Sequence, residues 1–212
     1  LLVLAIAVLA FVASLFSIWA TWRYQELAKD VAWLDDRSFE TLTLLTVGTG
    51  GAVENPSRLG PVSAVGLGAR IALVDAGRGV AEALRRCSIR PSQPDTLYLT
   101  SLLPENTVGI DDLLITGWLA SRTTPLRLVG PPGTRALADA LAAAQAPAVA
   151  ALAEAVGLPA AGAALEVVEA TPGWSETRDD GVSVSAGDAG ARPLPALAWR
   201  FERPATGPDA AL

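Results

Sequence analysis

Histidine and methionine are absent from this sequence, and cysteine and lysine occur once each, at Cys87 and Lys29. Without imidazole, only a carboxylate or the lone lysine is left to act as a general base. The single cysteine excludes an internal disulfide and cannot supply a metal cluster. Dense Lys/Arg runs are also missing, and the net charge is −6. The sequence therefore lacks the electrostatic footprint of nucleic-acid binding, and we predict no nucleic-acid partner.

A long hydrophobic run is present at the start of the chain. Residues 1–20 carry no charge, and about 20 helical residues rising 1.5 Å each match a hydrocarbon core of roughly 30 Å. Aromatic and basic residues, which favour the headgroup region, follow at its exit: Trp19, Trp22, Arg23 and Tyr24. We predict a transmembrane signal anchor with these four residues at the membrane interface.

The location of the protein is predicted from this anchor. The run is too long for the apolar part of a cleavable signal peptide, and Ser-Ile-Trp-Ala-Thr-Trp is a poor cleavage site. The alternative is a buried helix of a soluble protein. Three positive residues after the run do not fix the orientation. Because domains behind such anchors resemble exported ones, we predict a single-pass protein of the bacterial inner membrane with a periplasmic soluble domain.

Four motifs follow in a specific order. They are Leu42–Gly51 (LTLLTVGTGG), Leu73–Gly79 (LVDAGRG), Leu97–Leu114 (LYLTSLLPENTVGIDDLL) and Leu126–Arg135 (LRLVGPPGTR). With them, the chain from Thr41 to Glu202 resembles the metallo-β-lactamase fold superfamily in its ribonuclease Z and arylsulfatase-like branch. They look like that family's opening strand and glycine loop, aspartate turn, ligand-bearing loop, and the strand and turn after it.

The resemblance implies a fold and a departure from it. The expected class is α/β (α+β), a partial metallo-β-lactamase-like αββα sandwich behind one N-terminal transmembrane helix. The family continues with a second half that carries another aspartate and histidine ligand, so the chain resembles a member without its C-terminal half. A half-sandwich exposes sheet edges and an apolar surface, which normally require covering by a partner.

The ligand loop of the family has lost its histidines in this chain. That loop reads Thr-His-x-His-x-Asp-His, and its alignment on Thr100 places Ser101 and Leu103 at the first two histidines. Glu105 replaces the aspartate and Asn106 the last histidine. A catalytic zinc takes roughly three imidazole, thiolate or carboxylate ligands, whereas leucine has no lone pair and hydroxyls and amides are poor zinc ligands. We therefore predict no catalytic residue, no metal ligand and no cofactor.

An oxygen-rich cation site is the alternative. A further family histidine falls near Asp188-Ala-Gly, so the candidate ligands for magnesium or calcium are Asp75, Glu105, Asn106 and Asp188. The same residues are also common in ordinary turns. For Asp75 we predict a different role, capping the helix that begins near Arg78.

The remaining elements are predicted from periodicity. Strands are expected at Thr41–Val47, Val62–Leu67, Arg70–Asp75, Thr96–Thr100, Leu165–Ala170, Val182–Ala186 and Ala196–Glu202. Helices are expected at Gly79–Cys87, at Ile110–Ala120 and, as two helices separated by Pro147, over 134–156. Trp118 is interpreted as a core aromatic, with an interaction anchor as the alternative.

These elements give four predicted regions. They are a transmembrane anchor (1–22), a juxtamembrane linker or helix (23–40), a degenerate metallo-β-lactamase-like domain (41–203) and a tail (204–212).

Three functions are compatible with the sequence. We predict a non-catalytic, membrane-anchored accessory subunit of a larger membrane complex, a pseudoenzyme whose partners are other integral subunits of a respiratory, photosynthetic or transport assembly and the lipid bilayer. The first alternative is a residual esterase- or sulfatase-like hydrolase with an atypical oxygen-ligand metal site or Ser101. The second is a small-molecule-binding module in the old pocket, lined by Leu102, Leu103 and Trp199.

Overall fold

The computed structural model describes residues 10–23, 34–191 and 193–203. The chain divides after Leu34 into two compact units. In the first, residues 10–23 are helical (α1), and Trp19 and Trp22 are each 55% exposed. Tyr24 lies outside the described residues. The interface role of these side chains, like the division of the chain into four regions, stays a prediction.

A six-stranded sheet forms the centre of the second unit. Its strands are β1 Phe39–Gly48, β2 Val62–Gly68, β3 Arg70–Val74, β4 Thr96–Tyr98, β5 Leu126–Gly130 and β6 Leu165–Glu169. They lie in sequence order, antiparallel from β1 to β3 and parallel from β3 to β6. The parallel half needs crossover connections, which the helices supply.

The helices cover one face of this sheet. They are α2 Val80–Arg86, α3 Pro104–Thr107, α4 Ile110–Leu119 and α5 Thr134–Val156, with a 3-10 turn at Ala160–Ala163. Leu84, Leu113 and Leu114 of α2 and α4 pack with strand residues in one buried cluster. Trp118 is fully buried and donates its indole N–H to the Pro159 carbonyl at 2.9 Å, which confirms the core interpretation.

A smaller antiparallel sheet covers part of the opposite face. It comprises β7 Ser175–Thr177, β8 Ser183–Ala191 and β9 Pro195–Glu202, in that order. Val184 and Leu197 pack against Tyr98 and Val129 of the large sheet. The layers are helices, large sheet and small sheet, which confirms the mixed α/β class. β7 was not predicted because three polar residues carry no apolar alternation.

Helix α5 departs from the prediction of two helices. It runs from Thr134 to Val156 without interruption and contains Pro147 in its interior. Pro147 is exposed, so its ring lies at the solvent side of the helix. Within the described ranges, Thr134–Ala155 is the helix with the length and apolar composition of a membrane span, although only 6% of its most apolar window is buried. Its Leu137 and Leu141 pack against the core of the second unit.

Candidate active site

The candidate site lies where β3 and β4 end. Asp75 directly follows β3, and the loop from Thr100 to Asn106 follows β4. Because β3 and β4 are parallel, their carboxyl ends meet at one edge of the sheet, where α/β proteins place their sites. The sequence motifs LVDAG and LTSLLPEN are therefore neighbours in space.

Asp75 is held by Thr100. The Thr100 amide donates to Asp75 Oδ1 at 2.8 Å, and the Thr100 hydroxyl donates to Asp75 Oδ2 at 2.8 Å. Asp75 has a φ of 62°, a left-handed conformation that aspartate tolerates better than most residues. Its own amide donates to the Tyr98 carbonyl at 2.8 Å. Asp75 therefore joins the ends of the two strands.

The carboxyl of Asp75 titrates unusually close to neutrality. Burial raises its pKa to about 6, against the hydrogen bonds from Thr100 and Asn106, which lower it. The residue is only 8% exposed, so desolvation of the charged form is the dominant effect. Around pH 6 the group can both accept and donate a proton.

Ser101 and Asn106 extend the hydrogen-bond chain. The Asn106 side-chain N–H donates to Thr100 Oγ1 at 3.3 Å, and the Ser101 hydroxyl donates to Asn106 Oδ1 at 2.9 Å. Ser101 Oγ in turn accepts the Leu103 amide at 3.2 Å. Ser101 and Asn106, which align with two histidine positions of the metallo-β-lactamase ligand loop, are thus hydrogen-bonded to each other.

Main-chain contacts fix the same loop. The Ala76 amide donates to the Asn106 carbonyl at 2.8 Å, and the Gly109 amide donates to the Ala76 carbonyl at 2.8 Å. A Cβ on Gly109 would lie 2.2 Å from the Gly77 carbonyl oxygen. Only glycine allows this close approach, so backbone geometry holds the aspartate turn against the following loop.

The predicted capping role of Asp75 is wrong. Helix α2 begins at Val80 after Gly79 and has no side-chain cap from its N-cap residue. Asp112 of α4 instead accepts the Ala81 amide at 3.3 Å. Asp75 is instead directed to Thr100, whose partly buried amide finds its acceptor there.

The residues of the loop do not fit zinc. Within the described ranges, no group of three or more cysteine, aspartate or glutamate side chains is close enough to hold a metal ion. Leu103 offers no donor atom, and the Ser101 hydroxyl and Asn106 amide are committed to each other. Asp75 and Asn106 are brought together through Thr100. We therefore derive no step through zinc at this loop.

The other predicted cation ligands have separate surroundings. Asp188 is exposed and accepts the Gly190 amide at 2.8 Å within its own turn. Glu105 is half-buried in the short helix α3. Asp188 is therefore a residue of an ordinary turn, as the alternative to a cation site proposed.

A partly buried ionic network between the sheets was not predicted. The Tyr98 hydroxyl donates to Glu176 Oε1 at 2.7 Å, and Arg127 donates to the same oxygen at 2.6 Å. Burial raises the pKa of Glu176, but the bonds from Arg127 and Tyr98 outweigh it and hold that pKa below its usual range. Burial and Glu176 also raise the pKa of Tyr98 well above its usual value. These residues are distant in sequence, so no local pattern indicates their meeting.

The pocket predicted from Leu102, Leu103 and Trp199 has a different lining. A groove of about 480 Å³ opens between the sheets. Its lining comprises Leu42, Leu44, Ser63, Val65, Val74, Thr100, Trp199 and Phe201. Trp199 is therefore a lining residue as predicted, and it also donates its indole N–H to the Leu99 carbonyl at 3.0 Å. Leu102 instead packs with the helix-side cluster.

Solved structures with low sequence identity have the same fold. The short form of human tRNase Z superposes with a TM-score of 0.57 at 17% identity, over 76% of this chain and 64% of that one. The metallo-β-lactamase fold protein YhfI from Bacillus subtilis gives 0.56 at 13% identity, over 75% and 58%. A diphosphatase from the PhnP family gives 0.56 at 15% identity, over 76% and 62%.

The chain has the metallo-β-lactamase fold. The resemblance read from the four motifs is thereby confirmed. No family model matches the sequence. Because these solved structures share less than 20% sequence identity with this chain, the superpositions show the fold and carry no conclusion about activity.

Curated relatives are similar over about half of the chain. Ribonuclease Z of Mycobacterium marinum is 36% identical over 103 residues, which cover 47% of this chain and 36% of that protein. Ribonuclease Z of Mycobacterium sp. (strain KMS) is 39% identical over 105 residues, covering 49% and 36%. The matched region thus spans about a third of the length of these relatives.

These relatives correct the functional prediction. A non-catalytic accessory subunit was predicted because the histidine ligands are missing, and the protein was predicted not to be an enzyme. The similar proteins are named for an enzyme, ribonuclease Z, so both predictions are contradicted. The prediction took the loss of zinc ligands as the loss of all chemistry, whereas Asp75, Thr100 and Asn106 keep a connected polar centre.

Proposed function

We propose that this metallo-β-lactamase fold protein is a hydrolase that cleaves a small phosphate ester. The observation that carries the proposal is the buried carboxyl of Asp75, with a pKa of about 6, at the carboxyl ends of the parallel strands. Hydrolysis needs a group that takes a proton from water and returns one to the leaving oxygen. A carboxyl that titrates near the working pH suits both tasks.

The negative net charge of the chain favours a small substrate. A net charge of −6 repels a polyanion such as RNA, whereas a single phosphate group requires only local positive charge. Arg78 is exposed three residues after Asp75, and its guanidinium donates to the Arg58 carbonyl at 3.3 Å. Arg78 follows the aspartate turn directly, and its guanidinium suits the binding of one phosphate group.

The proposed reaction uses residues of this chain. The Asp75 carboxylate accepts a proton from water as the water oxygen forms a bond to phosphorus. The phosphorus–oxygen ester bond then breaks, and the protonated carboxyl returns the proton to the leaving alkoxide. Thr100 orients the carboxyl through two hydrogen bonds, and Asn106 orients the Thr100 hydroxyl. General acid–base catalysis of this kind contributes about 10²- to 10⁴-fold.

Hydrolysis of a model ester tests the proposal. The full chain in detergent is assayed with 4-nitrophenyl phosphate and bis(4-nitrophenyl) phosphate, with EDTA and with added Zn²⁺ or Mn²⁺. We expect hydrolysis that EDTA leaves unchanged, with a rise in kcat/KM near pH 6. Asp75→Asn should lower kcat/KM by about 100-fold or more, since its amide cannot accept the proton.

A matched control and two contrary outcomes complete the test. Glu105→Gln removes a nearby carboxyl in α3 and should keep kcat/KM within about twofold. If neither ester is hydrolysed under any of the metal conditions, the proposed function is wrong. Hydrolysis that requires added zinc overturns the acid–base role of Asp75 and our conclusion on the metal.

We also propose that the hydrolase is anchored in a bacterial inner membrane with its second unit in the periplasm. The uncharged run of residues 1–20 supports the anchor, as do the exposed aromatic side chains Trp19 and Trp22 on the described part of α1. An anchored enzyme acts on substrates that reach the membrane surface.

A further inference from the structure

A polar cavity lies at the opposite edge of the large sheet from Asp75. Pro94 and Asp95 directly precede β4, and Thr124 and Pro125 directly precede β5, so the cavity that they line is at the amino ends of these parallel strands. Its volume is about 280 Å³. β3 runs from one edge to the other, and its five residues span roughly 15 Å. The cavity is therefore separate from the candidate active site.

Three buried side-chain atoms without a hydrogen-bond partner belong to residues of this cavity. Among the residues that the structure describes, the buried atoms in this condition are Arg90 Nε, Ser92 Oγ and Arg122 Nε. All three residues line the cavity. The Nε–H of arginine is a donor and the serine hydroxyl can donate, so the three groups share the need for an acceptor. Because native proteins leave few buried donors unsatisfied, their concentration at one place indicates that a ligand with acceptor atoms binds there.

Arg122 carries the most deeply buried charge of the cavity. It is only 5% exposed, and its Nη2 donates to the Pro91 carbonyl at 2.8 Å, with a longer contact to the Leu113 carbonyl at 3.4 Å. No carboxylate of the described ranges offsets its charge, so burial lowers its pKa to about 10. A buried cation is costly unless an anion compensates it. Carbonyl contacts alone thus leave the Arg122 charge uncompensated.

The other charges of the cavity are already paired. Asp36 Oδ1 lies 2.7 Å from Arg90 Nη2, and Asp95 Oδ2 lies 3.2 Å from Arg70 Nε. Three arginines and two aspartates line the cavity, which leaves one positive charge in excess, that of Arg122. An excess positive charge beside free donors favours a ligand that is negatively charged and accepts hydrogen bonds.

The walls of the cavity are held without the three free donors. A Cβ on Gly117 of α4 would lie 2.2 Å from Arg122 Nη2, so this glycine keeps the space that the guanidinium occupies. Gln93 fixes the loop before β4: its side-chain N–H donates to the Ala69 carbonyl at 3.0 Å, and its Oε1 accepts the Arg37 amide at 2.9 Å. The free donors therefore remain available to a ligand.

We propose that this cavity binds a small tetrahedral oxyanion, phosphate or sulfate, between Arg90, Ser92 and Arg122. Small rotations of the two guanidinium groups turn their Nε–H groups to the oxygens of the ion, and the Ser92 hydroxyl donates to a third position. Guanidinium groups bind such oxygens through strong, charge-assisted hydrogen bonds. The cavity is smaller than the roughly 300–1,000 Å³ of pockets for drug-sized ligands, so it suits an ion better than a large cofactor. This inference does not depend on the proposed function.

Titration of the full chain in dodecyl maltoside tests the proposal. Sodium phosphate and sodium sulfate are titrated separately by isothermal titration calorimetry, against sodium chloride of equal ionic strength. We expect a Kd of roughly 1 mM or below for at least one of them, and the ratio of the two constants identifies the preferred ion. Ser92→Ala should raise this Kd about tenfold, because it removes one donor to a charged acceptor. Arg122→Gln should raise it further, because it removes the excess charge.

Matched variants separate the cavity from other arginines. Arg86→Gln removes an exposed arginine of α2 and should keep the Kd within about twofold. Arg78→Gln removes the arginine beside the aspartate turn and should also leave binding at the cavity intact. Circular dichroism checks that each variant folds, and Ser92→Ala decides the test if Arg122→Gln does not fold.

Hydrogen exchange locates the ion on the unmodified chain. Relative to chloride, the bound ion should slow amide exchange about threefold or more in peptides that contain residues 88–95 and 120–125. Peptides that contain residues 75–80 report on the aspartate turn, where the proposed hydrolase would hold a phosphate product. The two sites are thus distinguished in one measurement.

Three outcomes overturn the proposal. One is that neither ion binds more tightly than chloride. Another is a Kd that folded Ser92→Ala leaves unchanged. The third is protection confined to residues 75–80 together with loss of binding in Arg78→Gln, because the ion then occupies only the aspartate turn.

Discussion

Asp75 links the stability of the protein to pH. Its pKa is raised from 3.8 to about 6 on folding, so between these values the folded state binds more protons than the unfolded state. Stability contributed by the protonated form is therefore present at low pH and is lost as the pH rises through 6. This direction is opposite to that of a salt-bridged aspartate.

Asp75→Asn should remove this pH dependence. We expect the free energy of unfolding of the variant, relative to that of the wild-type protein, to rise by about 1 kcal/mol between pH 5 and pH 7.5, following the linkage relation. Urea unfolding at the two pH values measures the difference. Asp188→Asn, in an exposed turn, should give no such change. A constant difference for Asp75→Asn would contradict the raised pKa.

At the residue scale, the sequence indicates which positions are unusual but not what they contact. Ser101, Asn106 and Asp75 are recognisable because they stand at landmark positions of a ligand loop. The motif does not identify Thr100 as the partner of Asp75, because that contact depends on the relative position of β3 and β4. The partner of Tyr98 is equally remote, 78 residues along the chain.

Helix α5 shows how an element tolerates a residue that normally ends it. Pro147 removes one helical hydrogen bond, yet the helix continues to Val156. The proline lies on the solvent side, where the freed carbonyl of the preceding turn can bond to water. Leu137 and Leu141 anchor the helix to the core. Tertiary packing thus prevails over local propensity.

Pro147→Ala should stabilise the protein. Proline costs about 3 kcal/mol relative to alanine in a helix interior, and we expect the substitution to raise the free energy of unfolding by about 1–3 kcal/mol. Urea unfolding followed by circular dichroism measures it. Ala148→Gln, at the next exposed position of the helix, should change stability by less than about 0.5 kcal/mol. A loss of stability in Pro147→Ala would mean that the proline itself makes a stabilising contact.

At the element scale, regular patterns are predicted well. The strands that contain four or more apolar or β-branched residues are all identified from the sequence, to within five residues at their ends. β7 and the short helix α3 are not, because three or four polar residues form them only where neighbouring elements supply the contacts. Boundaries depend on caps and edges, which the pattern does not encode.

At the scale of the whole molecule, two segments are candidates for contact with a membrane. The run of residues 1–20 has the length of a span, and α5 has a similarly apolar composition with little burial. Their sequence contexts differ: aromatic residues and Arg23 follow the first, whereas α5 connects two strands of one sheet. The proposal of an N-terminal anchor rests on this contrast.

Deletion of residues 1–22 shows whether the N-terminal run or α5 holds the protein at the membrane. In a bacterial host we expect the full chain in the membrane fraction after an alkaline carbonate wash, and the deleted chain in the supernatant. Ile18→Asp should weaken retention, since a charge in the span is costly. Retention of the deleted chain would instead identify α5 as a membrane contact. Protease digestion of spheroplasts should cleave the second unit if it is periplasmic.

The backbone contacts around the aspartate turn have a consequence for how this protein evolves. Ala76, Asn106 and Gly109 are joined through amides and carbonyls, which every residue type other than proline supplies in full. Except at Gly109, a change of side chain in the loop after β4 therefore leaves these main-chain contacts in place. Natural selection can therefore replace one set of reactive groups by another at this position while the main-chain contacts stay constant.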